Sequence, residues 1–225
     1  MEKYFHHELD DLKQKLLIMA NRVQQMLSDS MDALVNLDSS RIEVVNTLEH
    51  EINKQEIDID QNVLKLLALH QPVGQDLRLL GIIFKINNDL ERIADETVNI
   101  CERVVHLIKN PKLEKGDILP QMELIVKEML NKSVEALLKT DVSNAKEIFK
   151  KEETVDALHR QLVRDVIDQI KKKPEITELA LDIIFISHRL ERIGDMAVNI
   201  IEDVMYFVTG EDERHPLDRK NGGGK

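Results

Sequence analysis

Glu91, Asp95, Asn99 and Glu102 stand at helical spacing, and the same residue types return at Glu191, Asp195, Asn199 and Glu202, offset by 100 residues. On a helix turning about 100° per residue, the first four fall within roughly 80° of one another, with Asn88 in the same band. Every one of these side chains presents oxygen and none is basic; in the second copy His188 takes the place of Asn88. Carboxylates one turn apart repel by about a few tenths of a kcal/mol per pair, a cost that a bound cation relieves. The preceding helices offer partners for these bands. Glu49, Asn53, Glu56 and Asp60 share a face upstream of the first band, and Glu152 and Asp156, followed by His159, stand upstream of the second. Carboxylates from two antiparallel neighbours would then converge in each half. Oxygen donors with an occasional imidazole suit Mg, Mn, Fe or Zn rather than a copper or thiolate site, and spacing leaves the metal open.

A single acidic row on a long helix is ordinarily a solvated face. Two copies with Asn at the same place and no Lys or Arg in either favour a ligand site, because solubility is served by mixed signs. Arg92 and Arg192 border the bands and are expected to form ion pairs within their own helices. His6, His7, His50, His70 and His106 are expected as surface or packing residues. Gly194, opposite Ala94 in the repeat, is expected to allow close helix packing.

Apolar residues recur at spacings of three and four, as in Val45, Leu48, Ile52, Ile59, Val63 and Leu66, which is the amphipathic-helix pattern. Capping and breaking residues interrupt it at Leu37-Asp38-Ser39-Ser40, His70-Gln71-Pro72-Val73-Gly74, Lys109-Asn110-Pro111 through Gly116, Thr140-Asp141 and Lys173-Pro174. Six helices are therefore expected, at about 5 to 37, 41 to 69, 75 to 108, 117 to 139, 142 to 172 and 175 to 208. From 87 to 102, nine of sixteen positions are identical with 187 to 202. This repeat makes the architecture all-α, as two similar three-helix bundles with the marked helix last in each. The halves are expected at 1–110 and 117–210, with a charged, Gly-rich, flexible tail at 211–225.

The chain carries 42 acidic against 31 basic residues, a net charge of -11, which repels phosphate backbones and disfavours nucleic-acid binding. Only 3% of it is aromatic, and Trp is absent, as in long packed helices. The single Cys101 excludes an internal disulfide, the N-terminus lacks the apolar core of a signal peptide, and no apolar run reaches the roughly 18 residues of a membrane span. A cytoplasmic protein without direct membrane insertion is expected.

The repeated pattern, Leu90-Glu91-Arg92-Ile93-Ala94-Asp95 and Leu190-Glu191-Arg192-Ile193-Gly194-Asp195, each followed by Asn-Ile, resembles the duplicated signature of the PhoU family. Pro72-Val73-Gly74-Gln75-Asp76-Leu77-Arg78 resembles that family's first-half turn, and Thr209-Gly210-Glu211-Asp212 its ending. The resemblance spans nearly the whole chain. It implies two three-helix bundles that bind metal ions through E/D-x-x-x-D motifs, with no catalytic activity. It also implies negative regulation of a phosphate ABC transporter and of its sensor histidine kinase, by an adaptor at the inner face of the membrane. The family's acidic pair falls on Glu49 and Asn53 in the first half and on Glu152 and Asp156 in the second. Asn53 departs from that pattern, and an amide is a weaker ligand than a carboxylate, so the second site is the one expected to be occupied. Helical faces of this kind also make a homodimer an expectation.

Two rival functions share the composition. Di-iron or di-manganese carboxylate enzymes build inward-facing Glu-x-x-His pairs, and the chain contains no Glu-x-x-His. A phosphotransfer bundle would use His50 beside Glu51, or His188, as phosphoacceptor, and the plain structural alternative is a helical scaffold that binds no metal.

Overall fold

The computed structural model describes residues 2–109 and 116–210. The expected flexible tail and most of the connection between halves lie outside the described residues. Six long helices follow in order: α1 Glu2–Asn36, α2 Ser40–His70, α3 Gly74–Lys109, α4 Ile118–Lys139, α5 Ala145–Lys172 and α6 Thr177–Thr209. A short 3-10 turn, Pro174–Ile176, leads into α6. With 36 residues α3 is the longest, about 54 Å at 1.5 Å per residue.

The helix starts repeat as the stripes do. Asp38 Oδ1 accepts from the Ser40 backbone N–H at 2.9 Å and from its hydroxyl at 2.7 Å; Asp141 Oδ1 accepts from the Ser143 N–H at 2.9 Å. These side-chain turns offer the backbone an alternative to helix. They explain why α5 begins at Ala145 rather than at the expected position of about 142. Between α2 and α3 the chain turns through left-handed Gln71 (φ 46) and Gly74 (φ 59), the second a conformation glycine adopts without steric cost.

Among the described residues α1, α2 and α3 pack on one another, as do α4, α5 and α6; α3 also packs on α6 and α1 on α4. The outcome is two three-helix bundles sharing one hydrophobic core, with α2 and α5 on the outside. The inward seam of α3 is buried throughout: Leu79 is 5% exposed, and Ile83, Ile86, Leu90, Ile93, Thr97 and Ile100 are each 0%. Pairs Lys85–Asp203, Glu96–Arg192 and His106–Asp182 run in opposite chain directions, so α3 and α6 are antiparallel about a pseudo-twofold axis.

Gly194 is buried, yet a methyl group there would lie 3.8 Å from Met129 and Val126 and 3.9 Å from Val155, which is ordinary contact. Close packing does not require the glycine, contrary to expectation. Gly194→Ala should stabilise the chain by about 0.5–1 kcal/mol through reduced backbone entropy, read as a higher urea midpoint. A lower midpoint would mean that the surrounding side chains cannot take the methyl.

Candidate functional site

In the first half, α2 presents Glu49, Asn53, Glu56 and Asp60 toward the stripe on α3. Burial pushes the Glu91 carboxyl up to about 7, and the charges of Asp95, Glu56 and Glu49 push the same way against Arg92. Glu56 is raised by burial and then by Asp60 and Asp95, and Asp95 by burial, Glu49 and Glu96. Of the side chains that the sequence singles out, Glu49, Glu56, Asp60, Glu91 and Asp95 therefore share one electrostatic neighbourhood. Asn87, which it did not select, braces the two helices: its fully buried Nδ2 donates to the Glu56 carbonyl at 3.0 Å and to Asp60 Oδ1 at 2.8 Å. Asn53 Nδ2 donates to Glu49 Oε1 at 2.5 Å, which leaves its buried Oδ1 without a protein partner. Asn99 turns its amide onto its own helix, donating to the Asp95 carbonyl at 3.0 Å.

The second half repeats the arrangement with imidazoles added. Burial raises Glu152, followed by the charges of Asp156, Asp195, Glu153 and Glu191; Asp195 is raised by burial, Glu191 and Asp156, with His188 and Arg192 opposing. His159 Nδ1 lies 2.8 Å from Ser187 Oγ, and His188 Nδ1 lies 2.7 Å from Glu191 Oε2, with the two rings 5.9 Å apart. Burial is the first cause lowering the His159 pKa, so the neutral, ligand-competent imidazole is favoured. One cation stands closer than the sequence suggested: Arg160 Nη1 donates to Asp156 Oδ2 at 3.2 Å, on an exposed surface. Asn199 and Glu202 border a cleft between the halves, together with Asp60 of α2.

The donor chemistry of both neighbourhoods fits a divalent or trivalent cation: carboxylates raised by burial and by one another, and a buried amide oxygen lacking a donor. Among the described residues, however, no three His, Cys, Asp or Glu side chains stand together as an ion's ligand set. Closure on a metal would need carboxylate rotations, which exposed side chains make on the ps–ns timescale. A thiolate contributes nothing, since burial pushes the Cys101 thiol up to about 12.

Sequence reasoning missed the charged seam between halves. Glu96, 6% exposed, accepts from Arg189 Nη1 at 2.7 Å and pairs with Arg192 Nη1 at 2.9 Å. Arg192 thus crosses to the other half instead of pairing within its own helix; Arg92 does pair locally, with Asp89 at 3.2 Å. Lys85 reaches Asp203 at 2.6 Å, and His106 reaches Asp182 at 2.5 Å. Phe185 lies between two guanidiniums, with Arg103 4.4 Å and Arg189 4.3 Å from its centroid. The signal was heptad spacing of charge on the inner face, at Asp89, Glu96 and Arg103 and again at Asp182, Arg189 and Asp203. His50 and His70 are likewise engaged, with Glu49 at 3.0 Å and Glu8 at 3.3 Å.

A pH dependence follows from Glu91. Its folded pKa of about 7 lies above the ordinary glutamate value of 4.5, so between those values the folded chain holds a proton that the unfolded chain has lost. Stability must then fall as pH rises through that window. In chelator-treated protein, Glu91→Gln should gain stability relative to wild type on going from pH 5 to pH 8, by denaturant unfolding. An equal difference at both pH values would refute it.

A protein-family model described as "PhoU domain" matches residues 16–104 and again 119–204. The chain is 32% identical to a phosphate-specific transport system accessory protein PhoU homolog of Pseudomonas aeruginosa, over 96% of this chain and 89% of that protein. The homolog of Aquifex aeolicus is 34% identical over 96% and 97% of the two chains. The accessory protein of Escherichia coli is 29% identical over 94% and 88%. The crystal structure of PhoU from Pseudomonas aeruginosa superposes with a TM-score of 0.88 at 32% identity, covering 92% of this chain and all of that one. The phosphate transport system regulatory protein PhoU from Streptococcus pneumoniae gives 0.85 at 30% identity, over 92% and 98%.

Proposed function

Since the chain belongs to the PhoU family, whose curated relatives are accessory proteins of phosphate transport, we propose that it is a metal-binding adaptor. It restrains a phosphate ABC transporter and holds that system's sensor histidine kinase in its non-signalling state when phosphate is plentiful. The observation carrying this reading is the duplicated stripe. In each half, carboxylates of the last helix face carboxylates of the middle helix, raised by burial and by each other. Such a surface gains by accepting cations, and the residues that would hold them are Glu49, Glu91, Asp95 and Asn99 in the first half, and Glu152, Asp156, Glu191, Asp195 and Asn199 in the second. A bound ion would neutralise the repelling carboxylates and fix two helix faces for docking. Asn87 and Ser187 position the backbone and imidazole behind those ligands.

Among the described residues no helix is long and apolar enough to cross a membrane; the adaptor works in the cytoplasm and reaches the membrane's inner face through its partners. Helix-on-helix contact is the mode its long faces suit, including a homodimer. The test combines elemental analysis with binding of purified transporter ATPase and kinase cytoplasmic region, before and after chelation. Metal content at or above stoichiometric level, with partner binding altered by its removal, supports the reading. Binding to neither partner in either state would end the adaptor hypothesis.

A further inference from the structure

Two imidazoles distinguish the second-half stripe from the first. The 100-residue repeat pairs His188 with Asn88 and Ser187 with Asn87, and the pairing of Glu49 with Glu152 sets His159 against Glu56. The contacts obey the same pairing, since Asn87 bonds Glu56 of α2 and Ser187 bonds His159 of α5. Where the second half presents ring nitrogens, the first half therefore presents oxygen donors, at Glu56 and Asn88.

Both rings are held by Nδ1. The Ser187 hydroxyl, fully buried, has one proton, and its oxygen lies 2.8 Å from the Ile184 carbonyl and 2.8 Å from His159 Nδ1. A carbonyl only accepts, so the hydroxyl donates to Ile184 and accepts from the His159 Nδ1–H. His188 Nδ1 likewise donates to the Glu191 carboxylate at 2.7 Å. The lone pair of each neutral ring is thereby left on Nε2, and a ring whose other nitrogen donates to a protein acceptor is the arrangement that fixes and orients metal-ligating histidines. An ion about 2.1 Å from two Nε2 atoms holds the ring centres roughly 5–6 Å apart. The centroids of His159 and His188 are 5.9 Å apart. The charges of Glu191 and Asp156 act on His159, and that of His188 acts on Asp195, so carboxylates of both helices share the neighbourhood. Asp156 is held by Arg160 in an exposed pair, and such pairs contribute little against a competing ion.

We propose that the second-half site is selective for a borderline divalent ion of the Zn²⁺ type, with Nε2 of His159 and of His188 as ligands beside Asp156, Asp195 and Glu191. This rests on the metal-binding reading of the stripes and assigns the ligands and ion class that the reading leaves open. Imidazole suits Zn, Fe and Ni, whereas carboxylate and carbonyl oxygens suit Mg and Mn. The first half, with oxygen donors alone, lacks the added preference.

The experiment titrates the full chain, stripped by chelator and held at one pH, with Zn²⁺ and with Mn²⁺ by calorimetry. Glu91→Gln with Asp95→Asn isolates the second-half site, and Asp156→Asn with Asp195→Asn isolates the first. The expected result is a Zn²⁺-to-Mn²⁺ affinity ratio larger in the second half than in the first by about tenfold or more. His159→Glu with His188→Asn copies the first-half residue types and should bring the ratio down to the first-half value, with Mn²⁺ affinity retained. His159→Gln should lower the ratio as well and serves if the double change does not fold. In parallel, Zn²⁺ added to protein labelled with ¹⁵N-histidine should shift the Nε2 resonances of His159 and His188 while both Nδ1–H bonds persist. Equal ratios in the two halves, a ratio that survives the histidine changes, or Zn²⁺ bound without moving the Nε2 resonances each overturn the proposal. Metal held by the carboxylates with the histidines indifferent overturns this inference alone, whereas failure of both halves to bind either ion overturns the metal-binding reading with it.

Discussion

Glu96→Ala is expected to destabilise the chain by about 3 kcal/mol, the value for removing one partner of a buried ion pair. Glu96 is 6% exposed and receives two guanidiniums from the other half, Arg189 at 2.7 Å and Arg192 at 2.9 Å. Removing it strands two positive groups with little replacement solvation. The Arg189 side chain is 18% exposed but that of Arg192 is 39%, so water recovers part of the loss and the lower end of the usual range of about 3–5 kcal/mol applies. For a chain of this length, that corresponds to a fall in Tm of roughly 6–12 °C. Glu96→Gln, which keeps a hydrogen-bond acceptor, should lie between wild type and alanine. An exposed pair provides the control: Lys139 and Glu135 are bonded one turn apart with side chains 65% and 45% exposed, and Lys139→Ala should change stability by less than about 0.5 kcal/mol. If the two alanine variants lose equally, the seam is not the polar lock between halves that its geometry indicates.

That seam shows where the sequence was legible and where it was not. Helical period, side-chain turns and the repeat at Leu90 and Leu190 are local or self-similar signals, and they give six helices and two bundles because each helix must bury one face. The stripes were legible for the same reason, since residues three and four apart share a face whatever that face touches. Glu96, Arg189 and Arg192 were not, because their meaning depends on which two faces of α3 and α6 meet. Lys85 and Phe185 occupy equivalent positions, yet one pairs with Asp203 and the other lies between two arginines. A repeat in sequence predicts a repeat in backbone, and the side chains at its symmetry axis are where the copies are free to diverge. Asn87 and Ser187 escaped notice because a buried polar residue on an apolar seam reads as a minor irregularity until its hydrogen-bond partner on the neighbouring helix is seen.

Asp156→Ala combined with Asp195→Ala is expected to weaken metal binding in the second half by more than about 100-fold. Changes merely behind a metal's ligands typically cost about 10–100-fold, and this pair removes a carboxylate from each of the two facing helices. After burial, the charges of Asp156 and Glu191 raise the pKa of both Glu152 and Asp195, so the metal-free wild type holds these carboxylates together at a cost. The metal-free double variant should therefore be no less stable than wild type, with its advantage shrinking as pH falls into the raised carboxylate range, where protonation relieves the repulsion. Added Mn²⁺ should raise the Tm of wild type, by mass action on the folded state, and leave that contribution of the second half absent from the variant. Glu91→Ala in the first half should produce a smaller loss, because Asn53 there supplies an uncharged amide whose nitrogen already donates to Glu49. The opposite stability effects with and without Mn²⁺ distinguish a ligand site from a solvated acidic face: a solvated face would show the relief of repulsion in the variant but no metal-dependent gain in wild type.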